Sequence, residues 1–335
     1  MSKKELSLNT KFLFIDITSI NRHTVYFIRG IDFFLRTVLG DNELKMKLKG
    51  IEKLREKLPS YPGKKILFFP ILATSSFFLG LISLLILDVI PRFFPTIEFF
   101  IVIEPIMPIL GTLMIGTIGF LCIFKVWHSK EKYLKKFKEF AYQRAFKFGL
   151  IGVPIVFVLV LHAYIPYELL PPSAPVNGIT VSLSTSLLSI IAGFATIEII
   201  IRIVGSFFFI FIGLLTMRRA IFSFGIDYMA VVYLYYPEES ELQEHEIYSI
   251  LRHPTYLAIL LFCLGGFFAR FSLYSIFIFA ILLTGLLIHI RLVEEKELIK
   301  RFGDSYLEYR KKVPALLVRP KNLGKYFKFL IKAKK

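Results

Sequence analysis

Two short polar signatures stand near the C-terminal end of this 335-residue chain. The first reads Tyr248-Ser249-Ile250-Leu251-Arg252-His253-Pro254-Thr255-Tyr256. The second reads Arg291-Leu292-Val293-Glu294-Glu295 and is followed by Phe302-Gly303, Tyr306 and Tyr309. Arginine and histidine can hold a carboxylate, glutamates accept from hydroxyls or an ammonium, and tyrosine rings pack against flat or cationic groups. Brought together, such a set makes a pocket with cations, an imidazole, carboxylates and aromatics at one depth. Two apolar segments separate the signatures, so a helical hairpin would return the second to the depth of the first. Pro254 suits the first turn of the hairpin's first helix, where its missing N–H costs nothing. Ala269-Arg270-Phe271-Ser272 makes the far turn, and Arg291 and Glu295, four apart, share a helix face.

The elements that must position this hairpin are apolar helices. Hydrophobic residues make up 55% of the chain, above the share usual in soluble domains, and several unbroken runs exceed the ~18 residues that mark a membrane-crossing helix. They do not alternate as barrel strands must. The expected fold is an all-α, polytopic integral membrane bundle of six spans, at about 66–88, 98–124, 148–165, 180–217, 254–269 and 272–290. With the N-terminus inside, the inner segments are 1–65, 125–147, 218–253 and 291–335. All but three of the 42 Lys and Arg residues (Arg92, Arg202 and Arg270) then fall on one side, which supports both termini being cytoplasmic. The net charge of +17 is thereby read as topology, with no nucleic-acid partner.

The organisation follows. Residues 1–65 form a basic interfacial segment in which Leu44, Leu48, Ile51, Leu54 and Leu58 recur at helical spacing, suited to an anionic membrane surface or to docking on the bundle. Residues 66–217 hold four spans and a helical extension over 125–147, where Trp127 suits an interface anchor. The 180–217 stretch is too long for one upright span and is expected as one tilted or kinked helix, with Gly193 and Gly205 as kink sites and Glu198 and Arg202 paired four apart. Residues 218–335 carry the signatures. Met1-Ser2-Lys3-Lys4-Glu5 opens no signal-peptide core. Cys122 and Cys263 both sit in apolar runs, and no cluster has metal-ligand spacing.

From about Arg218 to Pro320 the chain resembles the isoprenylcysteine carboxyl methyltransferase and phospholipid methyltransferase superfamily. Arg218-Arg219-Ala220-Ile221 with Phe224-Gly225 is similar to its post-helix motif. Ile247-Tyr248 and Arg252-His253-Pro254-Thr255-Tyr256 are similar to its second motif. Arg291 to Glu295, Phe302-Gly303, Tyr306, Tyr309 and Val313-Pro314 are similar to its closing motif. Glu246 stands where the family usually has glycine before Ile-Tyr, and Ala258 where glycine is common.

The resemblance implies an S-adenosylmethionine-dependent membrane enzyme whose cofactor pocket faces the cytosol and whose lipidic or prenylated acceptor enters from the bilayer. It implies that Ser240, Glu241, Leu242, Gln243, Tyr248, His253, Pro254, Thr255, Tyr256, Glu294 and Glu295 line the cofactor site. Arg291 would face the acceptor, and Arg252 would meet a carboxylate of cofactor or substrate. A carboxylate acceptor is already ionised near pH 7 and needs no base; an amine or thiol would need one, with Glu294, Glu295 and His289 at hand. Membrane sterol-type reductases that use NADPH share a His-Pro-x-Tyr motif, but their closing motif carries Arg-Asp with a cysteine before Lys-Tyr-Gly. This chain has Glu294-Glu295 and Arg301-Phe302-Gly303, with no cysteine after Cys263.

Overall fold

The structure, a computed structural model, describes residues 49–172, 176–192 and 195–331. The described residues form helices joined by turns and loops, without a strand. The main helices are α1 (Ile51–Glu56), α2 (Phe68–Val89), α3 (Met107–His128), α4 (Lys130–Phe137), α5 (Ala141–His162), α6 (Ala195–Phe224), α7 (Pro254–Arg270), α8 (Leu273–His289), α9 (Glu295–Phe302), α10 (Asp304–Lys312) and α11 (Leu323–Ile331). Five helical stretches are long and apolar enough to cross a membrane; α7 is apolar too but shorter, at 17 residues. The outer faces of α2 and α6 expose Ile71, Leu79, Ile82, Val204, Phe207 and Phe211. In water such a surface would drive association, whereas hydrocarbon covers it without cost. The chain is an integral membrane helical bundle.

Helix α5 is the hub, packed against α2, α3, α7 and α8. Small residues let α3 and α5 approach closely: a Cβ on Gly152 would lie 2.6 Å from the Gly119 carbonyl oxygen, and one on Gly116 would lie 2.9 Å from Leu159. Helix α6 packs instead along α7, with Gly205 fitted under Phe268 and Gly213 under Phe262. Buried polar ties hold the bundle end near the α7–α8 turn. Arg92 donates to Glu104 at 2.9 Å and to the carbonyls of Leu170 and Tyr167 at 2.7 Å, and His162 bridges Asp88 and Thr112 at 2.8 Å each. Glu198 and Arg202 pair at 3.0 Å, and Arg202 also donates to the Ala269 carbonyl at the end of α7.

Two expectations change, and one open alternative is decided. The 180–217 stretch is not one helix. It divides into Gly178–Ser184, Leu187–Ala192 and α6. Ser182 and Thr185 donate to the Gly178 and Val181 carbonyls, and the first piece ends at an extended Thr185, as such side chains do when they compete with helix bonding. Leu187 N–H then bonds to the Phe271 carbonyl at the hairpin turn. Helix α6 continues through Gly205 without a break and past Arg218 and Arg219, ending where Gly225 takes φ 107°; Gly193 lies outside the described residues. The 125–147 extension is cut at Ser129 and at Lys138, which takes φ 49°. Of the amphipathic N-terminal pattern, Leu44 and Leu48 lie outside the described residues, while Leu54 and Leu58 are buried against the bundle with Val126, Phe146 and Val232.

Candidate active site

Two backbone bonds bring the signatures together. Arg252 N–H donates to the Pro314 carbonyl and His253 N–H to the Ala315 carbonyl, each at 3.0 Å. The Tyr309 hydroxyl adds a bond to the Tyr248 carbonyl at 2.7 Å. Arg252 is then consumed from several directions: Nη1 donates to the carbonyls of Arg310 and Val313, and Nη2 to Glu295 Oε1 at 2.5 Å. Glu295, 3% exposed, also faces Arg310 at 3.4 Å and His253 Nε2 at 3.6 Å. On its other edge His253 Nδ1 lies 3.5 Å from Glu294, and its ring stacks on Tyr256. Burial alone would push the His253 imidazole down, but the carboxylates of Glu294 and Glu295 outweigh it and hold it up at about 9. The imidazole is therefore a cation at neutral pH.

Above this base lies a cavity of about 610 Å³, the volume of a site for a cofactor or drug-sized ligand. One end is polar, lined by Glu241, Gln243, Arg252, His253, Glu294 and Arg301, with Tyr248, Tyr256, Tyr306 and Tyr309. The other end is apolar, lined by Phe120, Ile123, Phe146, Leu150, Val153 and Phe157 from α3 and α5 and by Met217 of α6. Among the described residues, several of the buried polar atoms without a hydrogen-bond partner lie on the polar wall: Nε of Arg252 and Arg301, Nε2 of His253 and His289, Oε2 of Glu294 and the Tyr306 hydroxyl. Unsatisfied groups of this kind are costly and rare in finished interiors. Their grouping on one wall fits a ligand rich in donors and acceptors.

A π-helical turn at Ile290–Glu294 sets which residues face the cavity. In a continuous α-helix Arg291 and Glu295 would share a face. The wider i→i+5 turn, a device frequent at functional sites, puts His289 and Glu294 on the cavity wall together, buries Glu295 beneath it and turns Arg291 outward into an exposed position. Of the residues singled out from sequence, Glu241, Leu242, Gln243, Tyr248, Arg252, His253, Pro254, Thr255, Tyr256 and Glu294 line the cavity. Ser240, Arg291 and Glu295 do not. Ser240 bonds to the Pro237 carbonyl, and Glu295 acts behind the wall on Arg252 and His253. Sequence reasoning missed Arg301, Glu297 and the whole apolar end. Arg301, placed between the Glu294-Glu295 pair and Phe302-Gly303, carried a signal as one more cation in the closing motif. Trp127, expected at the interface, lines the cavity and meets His289 edge-on at 5.0 Å.

A family model described as phospholipid methyltransferase matches residues 201–305. Protein-S-isoprenylcysteine O-methyltransferase of Schizosaccharomyces pombe (strain 972 / ATCC 24843) is 36% identical over 69 residues, 21% of this chain and 29% of that relative. The chain thus matches less than a third of the length of this curated relative. No solved structure gives a significant match. The helical membrane fold is that of an integral membrane protein, and both matches are to methyltransferases. The C-terminal part of the chain is similar to the phospholipid methyltransferase family over residues 201–305 and, over a shorter stretch, to an isoprenylcysteine O-methyltransferase.

Proposed function

We propose that the protein transfers a methyl group from S-adenosylmethionine to a lipidic acceptor, the carboxylate of an isoprenylcysteine-like molecule, at the cytosolic face of the membrane. The observation that carries this reading is the two-ended cavity, polar where the family motifs meet and apolar where α3 and α5 close it. S-adenosylmethionine, when bound, supplies an electrophilic methyl on a sulfonium. The chain's own groups match the rest of that molecule. Arg301 and His253 suit its carboxylate, Glu294 its ammonium or ribose hydroxyls, and Tyr248 and Tyr256 its flat and cationic parts. A carboxylate acceptor is ionised at neutral pH, so the protein's work is to hold it in line and strip it of water. The apolar end suits an isoprenoid or acyl chain. Val153 lines it and is 54% exposed on the bundle surface, and α6 packs on α7 rather than on α5. A lipid therefore has a sideways path from the bilayer. The basic segments around the polar end suit the cytosolic side and an anionic surface.

The test is incubation of detergent-purified protein with labelled S-adenosylmethionine and either N-acetyl-S-farnesylcysteine or phospholipid vesicles, with the product identified by mass spectrometry. A base-labile methyl ester on the farnesylcysteine is expected. Methylation of phospholipid alone would replace the acceptor. Calorimetric binding of NADPH without binding of S-adenosylhomocysteine would overturn the reading.

A further inference from the structure

The structure assigns to His289 the task of holding the acceptor's carboxylate, a contact that the family resemblance gives to Arg291; the assignment rests on the function proposed above. His289 is 5% exposed, closes α8 and stands on the cavity wall. Its place along the wall marks a change of chemistry. One turn earlier Leu286 lines the apolar end, and beyond His289 the wall first gains charge, with Glu294, Glu297 and Arg301 interspersed with Leu298 and Phe302. A lipid whose chain fills the apolar end must put its reacting group at this junction.

The other cations of the wall are accounted for: each already faces a carboxylate, and His253 and Arg301 also face the cofactor in the function proposed above. Among the described residues lining the cavity, Arg252 pairs with Glu295, His253 with Glu294 and Glu295, and Arg301 with Glu297. Among the described residues His289 has no carboxylate within salt-bridge reach, and its Nε2 has no hydrogen-bond partner. Arg291 is exposed on the far side of the π turn and does not reach the wall. An imidazole buried with an unmet nitrogen is a cost unless a ligand completes it. Edge-to-face contacts with Trp127 at 5.0 Å and Tyr256 at 6.1 Å hold the ring at one orientation, so the donor is preorganised for a carboxylate oxygen. Trp127 comes from α3, outside the family-matched residues 201–305, so the acceptor contact joins the two parts of the chain.

The experiment compares wild type, His289→Phe and His289→Gln in detergent. It follows turnover of N-acetyl-S-farnesylcysteine, direct binding of that acid and of its methyl ester, and calorimetric binding of S-adenosylhomocysteine. Expected for His289→Phe are at least a tenfold fall in kcat/KM for the acceptor, loss of the preference for acid over ester, and S-adenosylhomocysteine affinity within twofold of wild type. His289→Gln, which keeps a donor, should recover part of both losses. If wild type turns over the acid and His289→Phe keeps its kcat/KM and its acid preference, the assignment alone falls. An equal loss of S-adenosylhomocysteine affinity moves His289 into the cofactor subsite and also overturns it. If wild type makes no methyl ester, the proposed function falls first and takes this assignment with it.

Discussion

Arg252 and Glu295 close the floor of the site as a buried pair, Nη2 to Oε1 at 2.5 Å, with side chains 7% and 4% exposed. The pair links the start of α7 to the start of α9, and Arg252 reaches on to the carbonyls of Arg310 and Val313. Removing one partner of such a pair leaves an uncompensated buried charge, which costs about 3–5 kcal/mol. Glu295→Gln is therefore expected to lower the thermal midpoint in detergent and to weaken S-adenosylhomocysteine binding through loosened Arg252 and His253. An unchanged midpoint with weakened binding would return Glu295 to direct contact with the cofactor.

His253 gives the site a pH dependence. Its imidazole is held up at about 9 in the folded protein, against about 6.5 in the unfolded chain. Its charged form therefore adds stability that is fully present below about pH 6.5 and is lost as pH rises through about 9. A shift of that size corresponds to roughly 3 kcal/mol. Burial pushes the nearby Tyr248 phenol well above its usual range, so it does not titrate in the same interval. Between pH 7 and 10 wild type should lose stability, and His253→Gln should flatten the loss. Parallel profiles would show that His253 is not the titrating group.

Glu246 stands where the family usually has glycine, and it takes φ 52°. For a residue with a Cβ this left-handed conformation costs about 1–2 kcal/mol. Glu246→Gly is expected to remove that strain and raise stability by on the order of 1 kcal/mol, less the greater freedom of glycine in the unfolded chain. Thermal melting of the two proteins in the same detergent tests this, and a lower midpoint for the glycine variant would refute it.

What the sequence made legible was the chemistry at the start of α7 and the apolar periodicity of the spans. The contact of His253 with Glu294 and Glu295 follows from a hairpin that any reader of the two signatures can draw. The facing of Arg291 does not, because a π turn leaves no composition signal: Ile290 to Glu294 reads as helix in either geometry. Nor do Phe120, Phe146 and Phe157 announce a binding surface, since an apolar residue on a transmembrane helix faces lipid, core or cavity with the same side chain. The breaks at Ser129, Lys138 and Thr185 were equally hidden, each set by local backbone geometry within otherwise helical sequence.

The Asp88–His162–Thr112 chain ties α2, α3 and α5 at the end of the bundle that holds the α7–α8 turn, and none of the three lines the cavity. Each side chain is almost fully buried, so removing His162 leaves Asp88 without its hydrogen-bond partner, at about 1–3 kcal/mol, while Thr112 keeps its bond to the Pro108 carbonyl. His162→Ala should lower the thermal midpoint clearly while S-adenosylhomocysteine affinity at low temperature stays near wild type. A selective loss of ligand affinity with an unchanged midpoint would instead make this chain part of the functional site.

Gly149 offers a way to test the apolar end without touching the polar one. It lines the cavity on α5, and a Cβ placed there meets only Val126, at an ordinary 3.8 Å. A larger side chain can therefore enter the chamber with little strain on the helix, and leucine is a better helix former than glycine by most of a kcal/mol. Gly149→Leu should fold at least as stably as wild type and keep its S-adenosylhomocysteine affinity. Its extra volume takes room from the acceptor chain, so turnover should fall more for a geranylgeranyl than for a farnesyl acceptor, with the loss mainly in KM. Competition between the two acceptors in one reaction gives the ratio directly. If the ratio is unchanged while both rates hold, the chamber is not where the chain lies. If cofactor affinity falls with them, the cavity is shared differently from the division proposed here.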